Sequence, residues 1–312
     1  RIDVKQRKYL VLLTTESFSL SIIIPTVRYS KYLDQAIESC FKIERKVDFE
    51  IIVSVNNKSF SGYEKSRYFT HSDILWKCVE SETYPMEKSW ELAVGYSSNN
   101  WIFLLSDDDI IGKEFLSDIN FDQLTEDSLY LTRSNIIDES NISKGMCLSP
   151  PNHLYEKQKI LELFFNHKIQ EHLSLMVFHR KIYKKTNGFT FAGYPTGLYI
   201  DTIFHGKAFA NCDKVFVAKG TVFSRRESST QQSSKFYSDS RVNEYFDIIT
   251  KAFMQDPEFC KAVLMRFRSE KRYKEYLIKF RFFVEWDKLH NLIYNKDCIY
   301  KTKFLINYFL YW

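Results

Sequence analysis

The stretch Trp101–Ile111, WIFLLSDDDII, runs from large apolar residues straight into three consecutive aspartates. An apolar run without alternation belongs to a strand buried on both faces, as in a parallel sheet. Two ionised carboxylates roughly 5 Å apart at an effective dielectric near 20 repel by about 3 kcal/mol. A partly buried triplet therefore takes up protons or gathers a cation, and a hard divalent metal that also binds phosphate meets that need. The alternative is a loop of solvated acids capping the next helix. The position directly behind a buried strand favours a site.

The flanking sequence repeats the strand pattern. LSIIIPT (Leu20–Thr26) and FEIIVSVNN (Phe49–Asn57) are short β-branched runs ending in Pro, Thr or Asn, and DILWKCV follows them. Between the first two, SKYLDQAIESCFKI has an N-cap candidate in Ser30 and places Leu33, Ile37 and Phe41 at helical spacing. MEKSWELAVGY reads as a second helix. Alternating strands and helices predict an open α/β sheet with a mainly parallel core, and in such sheets ligands collect at the carboxyl ends of the strands. Thr26, Asn56, Asn57 and the aspartates lie at such ends. Past Gly112 the pattern is mixed: strands near SLYLTRS, LSLMVFH, KVFVA and GTVFSRR, helices near EKQKILELFF and DTIFHGKAFA, and a loop TNGFTFAGYPTGLYID. From about Phe236 the chain reads as helical, with Val242, Tyr245, Phe246, Ile249 and Phe253 on one face.

Composition removes whole classes. With 312 residues, 45% hydrophobic, 27 Phe and 20 Tyr but only 9 Gly and 6 Pro, the chain fills a large core and is neither disordered nor fibrous. Six dispersed cysteines without a C-x-x-C pair read as reduced thiols in a cytosolic protein. No apolar run reaches the roughly 18 residues of a spanning helix. G-x-S-x-G, G-x-x-x-x-G-K-[ST] and G-x-G-x-x-G are all absent, which takes away the commonest hydrolase, nucleotidase and dinucleotide fingerprints. None of the seven histidines has zinc-like spacing, and each reads first as structural, with Glu171 and His172 also candidates for lining a groove.

In order and spacing, LSIIIPTVRYSKYLDQAIES, FEIIVSVNNKS, WIFLLSDDDI, SLMVFHRKIYKKTNGF and YIDTIFHGKAF resemble the inverting family 2 glycosyltransferases of the GT-A fold, over roughly residues 20 to 235. The resemblance implies a Rossmann-like mixed sheet flanked by helices, with a nucleotide-binding half about 18–112, an acceptor-binding half about 113–235 and a C-terminal helical extension over 236–312. It places Asp107 at the ribose, Asp108 on a divalent metal, Mn²⁺ or Mg²⁺, and Asp109 on the acid that follows, a further metal ligand; Ser106 stands where the family often has its first Asp. Pro25, Thr26 and Tyr29 fall at the rim of the base and ribose pocket, although Thr26 also suits a helix N-cap. Val55 replaces a frequent Asp, which leaves Asn56 or Asn57 to meet the base. Lys88 falls where the family often has a basic residue near the diphosphate, although the residues themselves favour an exposed helical lysine.

Asp201 matches the acid that deprotonates the acceptor hydroxyl, against the plainer reading of a helix cap. In VFSRRESSTQ, Arg225 and Arg226 carry charge suited to phosphate oxygens, and Glu227 stands near a position where the family uses His on the metal. ESSTQQSS then reads as a loop able to close over bound donor.

Charge concentrates at the end of the chain. From Arg241 onward there are 14 Lys and Arg against 9 Asp and Glu, which accounts for the entire net charge of +5. Lys261 to Arg281 holds eight basic residues interleaved with Phe, Tyr and Leu, as in a helix that lies on an anionic membrane or packs with a solvated basic face. The expectation is a metal-dependent inverting transferase that moves a sugar from a nucleotide-sugar, a UDP-sugar, to a glycan hydroxyl. By resemblance it builds bacterial surface polysaccharide, O-antigen or capsule, on a lipid-linked acceptor at the cytoplasmic face of the membrane, with no nucleic-acid partner. The rival reading is an inactive nucleotide- or glycan-binding scaffold, with Ser106, Val55 and Glu227 as traces of lost activity.

Overall fold

The computed structural model describes residues 18–44, 47–80, 83–117, 119, 121–189, 200–227, 251, 253–269 and 271–273. The chain divides into two compact units, Arg1–Lys235 and Phe236–Trp312.

In the first unit, β1 (Ser19–Thr26), β2 (Asp48–Val55), β3 (Ile74–Cys78) and β4 (Trp101–Leu104) form a parallel array in the order β3-β2-β1-β4. Right-handed crossovers between parallel strands need intervening helices, and α1 (Lys31–Phe41) and α2 (Met86–Gly95) supply them. Ile22, Ile23 and Ile24 of β1 are fully buried, each contributing about 1.5–3 kcal/mol of apolar burial. Ser30 caps α1, its hydroxyl accepting from Leu33 N at 3.3 Å. Thr26 is thus no helix cap.

The sheet continues through β10 (Met176–His179), antiparallel to both β4 and β6 (Ser128–Leu131), then β11 (Lys214–Val217) and β9 (Leu154–Glu156), which makes eight strands. Helices α3 (Lys157–Phe165), α4 (Arg180–Lys185) and α5 (Ile200–Asn211) belong to this half. The sequence pattern did not show a second, four-stranded sheet, in the order β5 (Ile110–Ile111), β12 (Phe223–Arg226), β7 (Ser134–Ile137), β8 (Ser143–Met146). Its β5 begins directly behind the aspartates, so the triplet is the link between the two sheets. Gly112 makes that link tight: its N–H donates to the Val222 carbonyl at 2.8 Å, and a β-carbon there would stand 3.1 Å from the same oxygen.

In the second unit the described helix is α6 (Pro257–Phe267), with Pro at its start and Asp256 as N-cap, accepting from Phe259 N at 2.9 Å. The helix expected through Arg281 is interrupted at Arg268, which takes the left-handed conformation (φ 64°) and closes the last turn; residues 271–273 are helical again, and 274–281 lie outside the described residues. The helical pattern expected over Val242–Ile249 lies outside the described residues, as do most of the loop expected over 186–201 and the segment after Glu227. Among the described residues no helix is long and apolar enough to cross a membrane.

Candidate active site

The aspartates sit on a tight turn. Asp109 N donates to the Ser106 carbonyl at 3.2 Å, which puts Asp107 and Asp108 at the corners. Consecutive side chains on a turn diverge, and these three reach three different neighbours. Asp107 faces β1: Oδ2 accepts from the Thr26 hydroxyl at 2.5 Å, and Thr26 also approaches the Tyr63 hydroxyl at 3.4 Å. Asp108 Oδ1 accepts from the Ser106 hydroxyl at 2.7 Å. Asp109, only 3% exposed, turns inward to β12, where Oδ1 accepts from Arg226 N at 2.8 Å and Oδ2 from the Ser174 hydroxyl at 3.2 Å.

The electrostatics follow this division. Burial, reinforced by the charge of Asp108, pushes the Asp107 carboxyl up to about 7, against the Thr26 hydrogen bond and the nearby Arg28. Burial likewise holds Asp109 well above the ordinary carboxylate range. The half-buried carboxyl groups of Asp107 and Asp108 at the strand end are hard oxygen donors of the kind that hold Mg²⁺ or Mn²⁺ when substrate phosphates and water supply the remaining ligands. The donor set at Asp108 therefore fits a divalent ion.

The expected trio of Asp108, Asp109 and Glu227 does not form. Among the described residues no three His, Cys, Asp or Glu side chains converge as metal ligands. Both oxygens of Asp109 are engaged inside the fold, and Glu227 is exposed and paired with Arg225.

Arg226 is the largest departure from the sequence reading. It is fully buried, and its guanidinium donates from Nε to the Asp108 carbonyl at 2.8 Å, from Nη1 to the Asp138 carbonyl at 2.8 Å and from Nη2 to Gln35 Oε1 at 2.9 Å. It also lies 4.3 Å over the Tyr32 ring. This side chain braces the aspartate turn from beneath and does not reach a phosphate. Arg225, its neighbour on the opposite face of β12, keeps 18% exposure and lies within electrostatic reach of Asp201, Asp109 and His172.

The rim toward β2 is also rearranged. The Asn56 carboxamide spends both ends on the backbone of Tyr84, with Nδ2 to O and N to Oδ1 both at 2.9 Å. It shapes the loop before α2 and is not directed at a base, so Asn57, half-exposed at the strand end, is the asparagine left for that role. Pro25 is buried in β1 beside Ser54. Tyr29 donates to Asp34 Oδ2 at 3.1 Å and stands edge-on to Tyr63. Lys88 is exposed in the first turn of α2.

Asp201 is the second residue of α5, and its Oδ1 accepts from Thr202 N at 2.8 Å, a free N–H of the first turn. Burial raises its pKa while that N–H and Arg225 lower it. Glu171 lies close enough for its charge to be felt: burial, then Asp201, pushes Glu171 up to about 8. His172 stacks on Phe223 with ring centroids 5.3 Å apart and meets the Ser134 hydroxyl at 3.3 Å, and burial holds it neutral. It is a core residue and not a groove lining. Sequence reasoning missed Arg28, Tyr63, Ser174 and Gln35. Arg28 alone had a signal, a cation two residues past a strand end.

A raised carboxyl pKa favours the folded state at low pH. The Glu171 contribution is complete below about 4.5 and is lost progressively as pH rises to about 8. Glu171→Gln removes this dependence, so the Tm of the variant relative to the unchanged protein is expected to climb between pH 5 and 8, by about 2–4 °C for each kcal/mol involved. A parallel pair of Tm curves would show that Glu171 ionises as it does in water.

No family model matches this chain, and no curated protein does either. Solved structures do. The chain is similar to S. aureus TarS 1-349 in complex with UDP-GlcNAc, at 15% identity and TM-score 0.58, over 80% of this chain and 73% of that one. It is similar to the same TarS fragment in complex with UDP at 14% identity and TM-score 0.52, over 85% and 91%. Against the longer S. aureus TarS chain the values are 15% and 0.55, over 79% of this chain and 44% of that one. The likeness is one of fold: the chain has the GT-A fold.

Proposed function

We propose that the chain is an inverting glycosyltransferase that moves a sugar from a nucleotide-sugar, a UDP-sugar, to a hydroxyl of a glycan acceptor. The observation that carries this reading is the three-way split of the aspartate turn at the carboxyl ends of β1 and β4, in a fold shared with proteins solved with UDP and UDP-GlcNAc. Asp107 and Thr26 together offer acceptor and donor groups to a ribose. Tyr29 and Asn57 border the base. Arg28, Arg225 and Lys88 are the cations available to a diphosphate. A divalent ion bound at Asp108 would neutralise charge on the departing diphosphate.

Asp201 would take the proton of the attacking hydroxyl. One of its oxygens is fixed by Thr202 N, and burial has made the carboxylate more basic than in water. Attack from the face opposite the diphosphate forms the new C–O bond as the C–O bond to phosphate breaks, and the anomeric configuration inverts. Donor and acceptor held in this order remove the entropy of a bimolecular encounter.

A panel of nucleotide-sugars incubated with the protein and Mn²⁺, read as free nucleotide, tests the proposal. Release from at least one UDP-sugar, abolished by chelation, is the expected result. No release and no UDP binding would leave the inactive scaffold as the reading of this fold.

A further inference from the structure

Helix α6 carries a stripe that stands exposed among the described residues. Phe259, Ala262 and Val263 form its buried face. On the opposite side Lys261, Leu264, Met265 and Arg268 follow at the i, i+3, i+4, i+7 spacing of a single helix face. Leu264 is 47% exposed and Met265 65% exposed. Exposed Lys271 and Arg272 continue the positive charge past the helix end, while Arg266, three and four positions from Val263 and Ala262, lies on their side of the helix over the Phe267 ring. The acids described in this unit, Asp256 and Glu258, both sit at the amino end of the helix. Cations near a helix carboxyl end are accounted for by the helix dipole alone. Two large apolar side chains held in water between them are not.

We propose that this face docks on an anionic lipid surface, with Leu264 and Met265 entering the headgroup boundary and Lys261, Arg268, Lys271 and Arg272 lying against lipid phosphates. The charge complementarity selects an anionic surface, and the apolar centre of the stripe selects lipid over nucleic acid, whose phosphate backbone offers Leu and Met nothing. The stripe lies along the surface; at 11 residues α6 is too short to cross it.

Co-sedimentation of the full chain with phosphatidylcholine vesicles, with and without phosphatidylglycerol, tests this. Binding is expected with phosphatidylglycerol only. Lys261→Gln with Lys271→Gln should weaken it about thirtyfold, from about fivefold per cation. Leu264→Ser with Met265→Ser should weaken it at least about tenfold. All four side chains are exposed, so both variants should keep the circular dichroism of the unchanged chain. Equal binding to neutral vesicles, or binding that ignores both variants, would overturn the proposal. So would a chain that binds no vesicle but forms a dimer lost on Leu264→Ser with Met265→Ser, or one held by a duplex oligonucleotide through the same cations.

Discussion

Asp201→Asn protein is expected to bind UDP and metal as the unchanged protein does and to lose at least about a hundredfold in transfer rate, the usual scale of general-base loss. The substitution keeps the shape and the Oδ1 that accepts from Thr202 N, so the start of α5 should not be disturbed. What disappears is a buried carboxyl whose pKa is raised by burial and drawn back by the Thr202 N–H and Arg225. Glu171 does not substitute, because with its carboxyl pushed up to about 8 it is mostly protonated near neutral pH. Steady-state transfer and donor binding, measured on the same preparation, check this. Unchanged transfer would move the base elsewhere. A loss of donor binding would make Asp201 part of the donor site.

Arg226→Met is expected to be the most destabilising single change, although the side chain touches no proposed ligand. The replacement fills a similar volume but leaves the Asp108 and Asp138 carbonyls and Gln35 Oε1 without their donors, and removes a cation from the face of Tyr32. Hydrogen bonds from a charged donor are worth about 1.5–3 kcal/mol each, and a buried acceptor left without its donor costs about 1–3 kcal/mol, so the loss is on the order of 3–5 kcal/mol. In a unit of this size that corresponds to a fall in Tm of about 10 °C. Nucleotide release should fall with it, because the carbonyl lost is that of Asp108. Arg225→Met, one residue away, should change stability by no more than about 1 kcal/mol, since it breaks a rim pair with Glu227. Thermal unfolding of the two variants separates a brace from a ligand-facing cation.

The pair Arg225 and Arg226 also shows what the sequence revealed and what it withheld. Successive strand residues face opposite ways, so GTVFSRR already required one of the two arginines to point inward. The period did not say which, because that depends on β12 pairing with β7 and β5, strands far away in the chain. The first four strands were legible for the reason parallel strands usually are: burial on both faces leaves uninterrupted apolar runs. The second sheet was not legible, because β5 has two residues and all four residues of β8 are exposed, so neither carries an apolar rhythm. At the site, the triplet announced itself by charge. That Asp109 would be spent on the Arg226 N–H, 117 positions away, is a property of the tertiary fold that no local spacing encodes.

The same distinction explains Asn56. A polar residue at a strand end reads as a ligand group, yet its carboxamide closes a reciprocal pair with Tyr84. Polar side chains at strand ends serve the neighbouring loop as readily as a ligand, and only the loop's path decides between them.

The account rests on Asp108 being the carboxylate of the triplet that meets the metal and diphosphate. Nucleotide release from the active UDP-sugar in Mn²⁺, run side by side on the unchanged chain and on Asp108→Ala, measures this directly. The prediction is a loss of at least about a hundredfold in Asp108→Ala with stability changed by no more than about 1 kcal/mol, since the carboxylate accepts from the Ser106 hydroxyl on the same turn while the backbone carbonyl that Arg226 holds is kept. Release that survives Asp108→Ala at the rate of the unchanged chain would contradict the account.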